Sequence, residues 1–183
     1  MGYEAALKKA WEELVFLKAP NNLSVKFLAD EYAVELLPRR VFSLSCNIPA
    51  HDHLSILILH FLAASLKGLP ALSGQWVTFR ELSGIQGYYQ AYRQRAIEPI
   101  IRKYGQEPQA IKSVLARLPG SLTTGADLAL VLETFPGVPL LIKLWRADSE
   151  FGPEANLYFD ANIKDIFCIE DVVVLAQLVA RQL

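Results

Sequence analysis

Apolar residues recur at helical spacing over residues 3–18, where Leu7, Ala10, Trp11, Leu14 and Leu17 fall on one face. Glu4–Lys8 and Lys9–Glu13 are spaced to pair across the solvated side. The pattern predicts an amphipathic surface helix, stopped at Pro20-Asn21-Asn22. Leu23–Ala29, Tyr32–Leu37 and Val41–Cys46 then read as three short strands of an antiparallel meander, separated by turn or charged residues. Leu54–Leu66 is an apolar run broken by His60 and reads as a buried helix, with Asp52 placed to cap its N-terminus.

Gly68, Pro70 and Gly74 mark a loop. Gln75–Leu82 alternates as a strand, and Gln86–Tyr104 reads as a helix with a kink or restart at Pro99, which lacks a backbone donor and disfavours α geometry at Glu98. A shorter helix over 108–118 ends at Pro119-Gly120. Leu128–Leu132 and Val138–Trp145 are continuous apolar runs of the kind that form central strands covered on both faces. Pro136-Gly137 between them suggests a type II turn, which fits a tight hairpin poorly although the two strands are expected to pair. Ala155–Asp160 alternates, with Leu157 and Phe159 on the core side and Asn156, Tyr158 and Asp160 on the polar side. From Ile169 the chain reads as a helix that opens on Glu170 and Asp171 and is apolar around most of its circumference, so it belongs in the core or at an interface. Together these elements predict an α+β fold, a mixed or antiparallel sheet packed against several helices, with residues 1–183 as one domain.

Length and charge narrow the function classes. A chain of 183 residues is expected to bury ~70% of its extended surface in a single sizeable core. Eighteen Lys and Arg against nineteen Asp and Glu leave a net charge of −1, so no global field draws nucleic acid or anionic lipid. The longest apolar run falls short of the ~20 residues of a membrane span. The N-terminal segment carries charges where a signal peptide would be apolar, and Ala6 stands where an N-myristoylation motif wants Ser or Thr. A cytoplasmic protein with no membrane and no nucleic-acid partner is the expectation. Cys46 and Cys168 lack metal-ligand spacing and are expected to be buried, reduced thiols.

Two segments are dense in chemistry. GQWVTFRELSGIQGYYQAYRQR, residues 74–95, sets Gly84 and Gly87 before a helix carrying three Tyr and two Arg. The glycines could let a loop approach a phosphate, but the spacing matches no dinucleotide or P-loop fingerprint, and a turn that positions the helix is the plainer account. Trp145–Asp171 holds Asp148, Glu150, Glu154, Asp160, Asp165, Glu170 and Asp171 against Arg146 and Lys164. Such carboxylates could hold Mg²⁺ for phosphoryl chemistry, yet their spacing is that of no known loop; an ion-paired face, with Arg93 and Arg95 as the partners, is the expectation, and no metal site is assigned. His51-Asp52-His53 could supply a general base or a metal half-site, or cap a helix. His60 lies ~10 Å along the axis from His53, too far to share a metal with it. A ligand site is expected where the two dense segments meet, lined by Trp76, Glu81, Tyr88, Arg93, Arg95, Trp145, Asp148 and Glu150, because each segment sets aromatics beside charges at a strand end. The competing account makes Trp76 and Trp145 core residues.

GQWVTFREL at 74–82, the Tyr-rich stretch to Arg95 and Pro99, VPLLIKLWRADSEFGPEANLYFDANI at 138–163 and Glu170-Asp171 resemble an uncharacterised family, the domain of unknown function 3786 of anaerobic bacteria and archaea. Some relatives join the domain to an iron–sulfur module like that of corrinoid proteins. The resemblance implies a binding or accessory role in corrinoid, redox or one-carbon metabolism, with a small molecule or tetrapyrrole as ligand and a protein of one-carbon metabolism as partner; it assigns no catalytic residue and names no cofactor. The alternatives are a metal-dependent phosphoryl-transfer or hydrolytic enzyme built on the acidic segment, and a homo-oligomeric scaffold held by the apolar C-terminal helix.

Overall fold

The computed structural model describes residues 3–83 and 86–183. The fold is α+β, with two antiparallel sheets. β1 (Asn22–Phe27), β2 (Asp30–Glu35) and β3 (Arg40–Ser43) form a three-stranded meander. The second sheet has the order β4-β8-β7-β6-β5, from β4 (Trp76–Thr78), β5 (Gly120–Thr123), β6 (Leu128–Phe135), β7 (Val138–Trp145) and β8 (Glu154–Asp160). β6 and β7 lie inside this sheet, as their unbroken apolar runs require, and Leu130, Leu132, Leu140, Ile142 and Leu144 are buried. Pro136-Gly137 does join them in a hairpin: Gly137 has the positive φ of 78° that a type II turn needs, and a bulge between Glu133 and Phe135 absorbs the misfit.

α1 (Glu4–Phe16) packs on α2 (Asp52–Lys67). Its buried residues are Ala10, Trp11 and Leu14, but its outer charges pair differently from the simple spacing. Lys8 meets Glu12, and Glu13 reaches across to Lys67 of α2 at 2.5 Å. Asp52 is not the cap of α2. His51 occupies that position in extended geometry without a side-chain cap bond, and Asp52 is the first helical residue, where its charge still meets the positive end of the dipole.

Residues 75–82 are not one strand. After Thr78 the chain turns into α3 (Phe79–Ser83), because Glu81 Oε2 accepts the Thr78 N–H at 2.6 Å and its hydroxyl at 2.7 Å. This is the Glu half of the capping arrangement that a Thr-x-x-Glu sequence offers a helix start, with the Thr78 hydroxyl donating to the same carboxylate. The next helix is regular over α4 (Gln86–Tyr92), widens to a π-turn at Arg93–Ile97 and resumes as α5 (Glu98–Tyr104). Pro99 explains the widening: its ring would strike the carbonyl four residues back, and the Glu98 N–H bonds instead to the Arg93 carbonyl, five residues away. Gly84 lies outside the described residues, and with it the phosphate-loop reading of Gly84 and Gly87.

Residues 108–116 form a 3-10 helix, and β5, which no clear apolar alternation announces, follows it. A second 3-10 turn, Ala161–Asp165, leads from β8 to α6 (Ile169–Gln182). One cluster of buried apolar side chains runs through both sheets and the helices. Val172, Val173, Leu175 and Val179 of α6 belong to it, so the apolar circumference that suggested an oligomer is covered within one chain.

Asp160 ends β8 and holds the preceding loop to the sheet. Its carboxylate accepts the Ser73 N–H, the Ser73 hydroxyl, the Gly74 N–H and the Asn162 N–H, all between 2.9 and 3.1 Å. Burial opposes its ionisation, but these donors outweigh it and keep the carboxyl below the usual range. Asp160→Ala should cost about 3 kcal/mol, since several donors lose their acceptor at a buried site. Urea denaturation of the variant checks this, and amide exchange should quicken first at Ser73 and Gly74.

Candidate functional site

Of the eight residues expected to line one site, the two tryptophans are held well apart. Trp76 pairs in register with Asp160 and Trp145 with Glu154, so the two tryptophans stand at opposite ends of β8, ~20 Å apart along the strand. Neither belongs to the core: Trp76 is 40% exposed and Trp145 is half-buried. Glu81 is engaged in capping α3, and Tyr88 is exposed. Asp148 closes its own turn, accepting the Glu150 and Phe151 N–H groups at 2.8 and 2.7 Å. Cavities of about 560, 290 and 220 Å³ occur among the described residues, and none of the eight lines them.

The expected pairing of Arg93 and Arg95 with the acidic segment is also corrected. Arg93 meets Glu98 of its own helix at 3.7 Å, and Arg95 has no ion-pair partner among the described residues. The aromatics of that helix divide: Tyr92 is fully buried, stacked on Phe79 at 4.1 Å, while Arg80 lies over the Tyr89 ring at 3.8 Å. The carboxylates of residues 145–171 are engaged one at a time, at Asp148, Asp160 and Asp171. Among the described residues no three His, Cys, Asp or Glu side chains converge as a metal site.

What does converge is a set of polar side chains between α2 and the start of α6. Asp171 sits in the first turn of α6, where the dipole favours its charge, and is 6% exposed. Its Oδ2 accepts a hydrogen bond from His60 Nδ1 at 2.7 Å and from the Cys168 thiol at 3.2 Å. Glu13 and Lys67, paired at 2.5 Å, Asp165, Ala63 and Ala64 complete a cleft of about 220 Å³. The alanines matter because larger side chains on that face of α2 would fill it.

The hydrogen bond to Asp171 raises the His60 pKa above its ordinary value against the opposing effect of burial. With Nδ1 donating to the carboxylate, His60 Nε2 makes no hydrogen bond among the described residues. An imidazole oriented in this way through one nitrogen presents the other with increased basicity, the arrangement that carboxylate–histidine pairs use to meet metals and protons. Cys168 does not form a thiolate–imidazole pair. Burial and the neighbouring carboxylate push its thiol up to about 12, so it stays protonated at neutral pH and acts as a donor to Asp171. Its side chain and that of Cys46 are exposed, contrary to the expectation of buried thiols. Cys46 sits in the turn after β3 and Cys168 at the N-cap position of α6.

His51 and His53 stack with ring centroids 5.8 Å apart at the start of α2, and Tyr3 lies beside His53. Burial, then His51 and Arg181, lowers the His53 pKa. This pair is separate from His60. His60 carried its own signal in the sequence, since a polar residue inside an apolar helix calls for a buried partner.

The chain is thus an α+β domain whose most concentrated polar chemistry lies between two core helices. It belongs to the family described as "Domain of unknown function (DUF3786)", whose model matches residues 7–182. No curated protein and no solved structure matches it. No helix among the described residues is long and apolar enough to cross a membrane.

Proposed function

We propose that the protein is a cytoplasmic binding or accessory domain of anaerobic cofactor or one-carbon metabolism, and that its ligand meets His60 in the α2–α6 cleft. One observation carries this reading: a buried carboxylate fixes His60 Nδ1 at 2.7 Å beside an open cleft, leaving Nε2 without a partner among the described residues. A purely structural clamp would have no use for the cleft.

A tetrapyrrole or corrinoid, the ligand class implied by the family resemblance, finds one of its requirements here, an oriented imidazole nitrogen able to act as an axial donor. The cleft has the volume of about seven water molecules. It admits a metal-bound group or one edge of a ligand and does not enclose a macrocycle, which is consistent with an accessory role beside a partner protein. The test is the absorbance of the protein incubated anaerobically with a corrinoid and, separately, with haem. A band shift that His60→Ala removes supports the reading. No shift with either compound, or a shift indifferent to His60, overturns it.

A further inference from the structure

The tip of the β1–β2 hairpin divides two cavities. Leu28 and Ala29 make the two-residue turn, with Phe27 and Asp30 paired across its base. Leu28 adopts a positive φ of 53° and is buried, and its N–H bonds to the Thr134 carbonyl of β6 at 2.7 Å. That bond anchors the small sheet on the large one and wedges the tip between them. On one side lies a cavity of about 560 Å³ walled by Phe135, Leu118 and the end of the 3-10 helix. On the other lies one of about 290 Å³ walled by Tyr32, Phe27 and the last turn of α6. The larger is within the ~300–1,000 Å³ of small-molecule sites.

Asp30 borders both cavities. Its Oδ1 is fixed by the Ser45 hydroxyl at 2.7 Å and the Glu31 N–H at 2.9 Å, and the Ser43 and Tyr32 hydroxyls also favour its charged form. Burial works against its charge, but these donors hold its carboxyl below the usual range, so it is ionised at neutral pH. Lys26 and Arg117 also line the larger cavity, but Arg117 donates to the main-chain carbonyls of Gln182 and Leu183, and neither forms an ion pair with Asp30 among the described residues. Glu133, on the rim, accepts the Gly137 N–H and likewise has no ion-pair partner among the described residues. Walls that include Leu28, Leu118 and Phe135, around an oriented carboxylate with no ion-pair partner among the described residues, can take a hydrocarbon body carrying a positive charge.

We infer that the two cavities flanking the β1–β2 tip form a second binding site, which takes a small organic cation, an amine on a short hydrocarbon body, through Asp30. The site is independent of the His60 cleft.

Calorimetric titration of the full chain with hexylammonium, hexanoate and hexanol at one ionic strength tests it. Hexylammonium should bind saturably, and the anion and the alcohol at least about tenfold more weakly, because only the cation makes a charge-assisted bond. Asp30→Asn, which keeps an acceptor for Ser45 and Glu31, should weaken hexylammonium by at least about tenfold, whereas His60→Ala should leave it unchanged. Equal binding of hexanoate, absence of saturation, or indifference to Asp30→Asn overturns the proposal. If the variant does not fold, amide shift mapping on the native chain decides: perturbations centred on residues 28–31 and 117–118 support the site, and perturbations centred elsewhere refute it.

Discussion

Deletion of residues 170–183 is expected to leave the protein insoluble. Val172, Val173, Leu175, Val179 and Leu183 are all at most 7% exposed in the shared core, and each contributes roughly 1.5–3 kcal/mol by its burial. Their combined loss is on the order of 10 kcal/mol, comparable with the whole stability of an ordinary domain. The same deletion strips the apolar faces of α2 and α5 that α6 covers, and it removes the Leu183 carbonyl that accepts from Lys103, Tyr104 and Arg117. Soluble yield and the far-ultraviolet circular dichroism of any soluble fraction measure the outcome. A truncated chain that stays folded and monomeric would show that the helix is dispensable.

Asp171→Asn should abolish a loss of stability that the native chain shows as pH rises above about 6.5, the unfolded value of His60. The folded-state pKa of His60 is raised, so its contribution to stability is fully present below the unfolded value of about 6.5 and is lost as pH rises through the higher folded value. The groups that face it are Asp171 and Glu13, which favour the imidazolium, and Lys9, which opposes it. Cys168 lies beside the same carboxylate but keeps its proton throughout this window. Near pH 6 the variant should be less stable by about 1.5–3 kcal/mol, the usual worth of a hydrogen bond to a charged group, and the difference should shrink as pH rises through the raised folded-state pKa of His60. Urea midpoints measured from about pH 6 upwards test both statements. A native chain that gains stability as pH rises, or a variant with the native slope, would remove His60 as the titrating group.

The parts of the fold that could be read from the residues are those in which one physical pattern decides the outcome. β6 and β7 are apolar on both faces because both faces are covered, and α2 is apolar because it crosses the core. The meander of β1, β2 and β3 followed from turn residues between short runs. Periodicity misread residues 75–82, where a local capping interaction overrides alternation after Thr78; the Thr78-x-x-Glu81 spacing carried that information. Pro99 located the break in the long helix to within a turn, but whether the chain kinks, restarts or widens depends on packing against α6 and β8.

The polar cleft was not legible for a different reason. His60 and Asp171 are 111 residues apart, and nothing local to either identifies the other. The two dense segments drew attention because their chemistry is consecutive in sequence. The fold spends much of that chemistry on local tasks: Glu81 on a helix start, Asp148 on a turn, Asp160 on a loop. Asp30 was hidden in the same way, since its importance comes from the two cavities beside the hairpin tip and not from its neighbours in the chain.

The central claim is that ligand is met at the α2–α6 cleft and not at the motif segments around Arg93. Parallel anaerobic absorbance titrations of the native chain, His60→Ala and Arg93→Ala with the same corrinoid or haem test it most directly. A saturable spectral change is expected in the native chain and in Arg93→Ala, and its loss in His60→Ala with the fold intact by circular dichroism. A change that survives in His60→Ala and disappears in Arg93→Ala would contradict it.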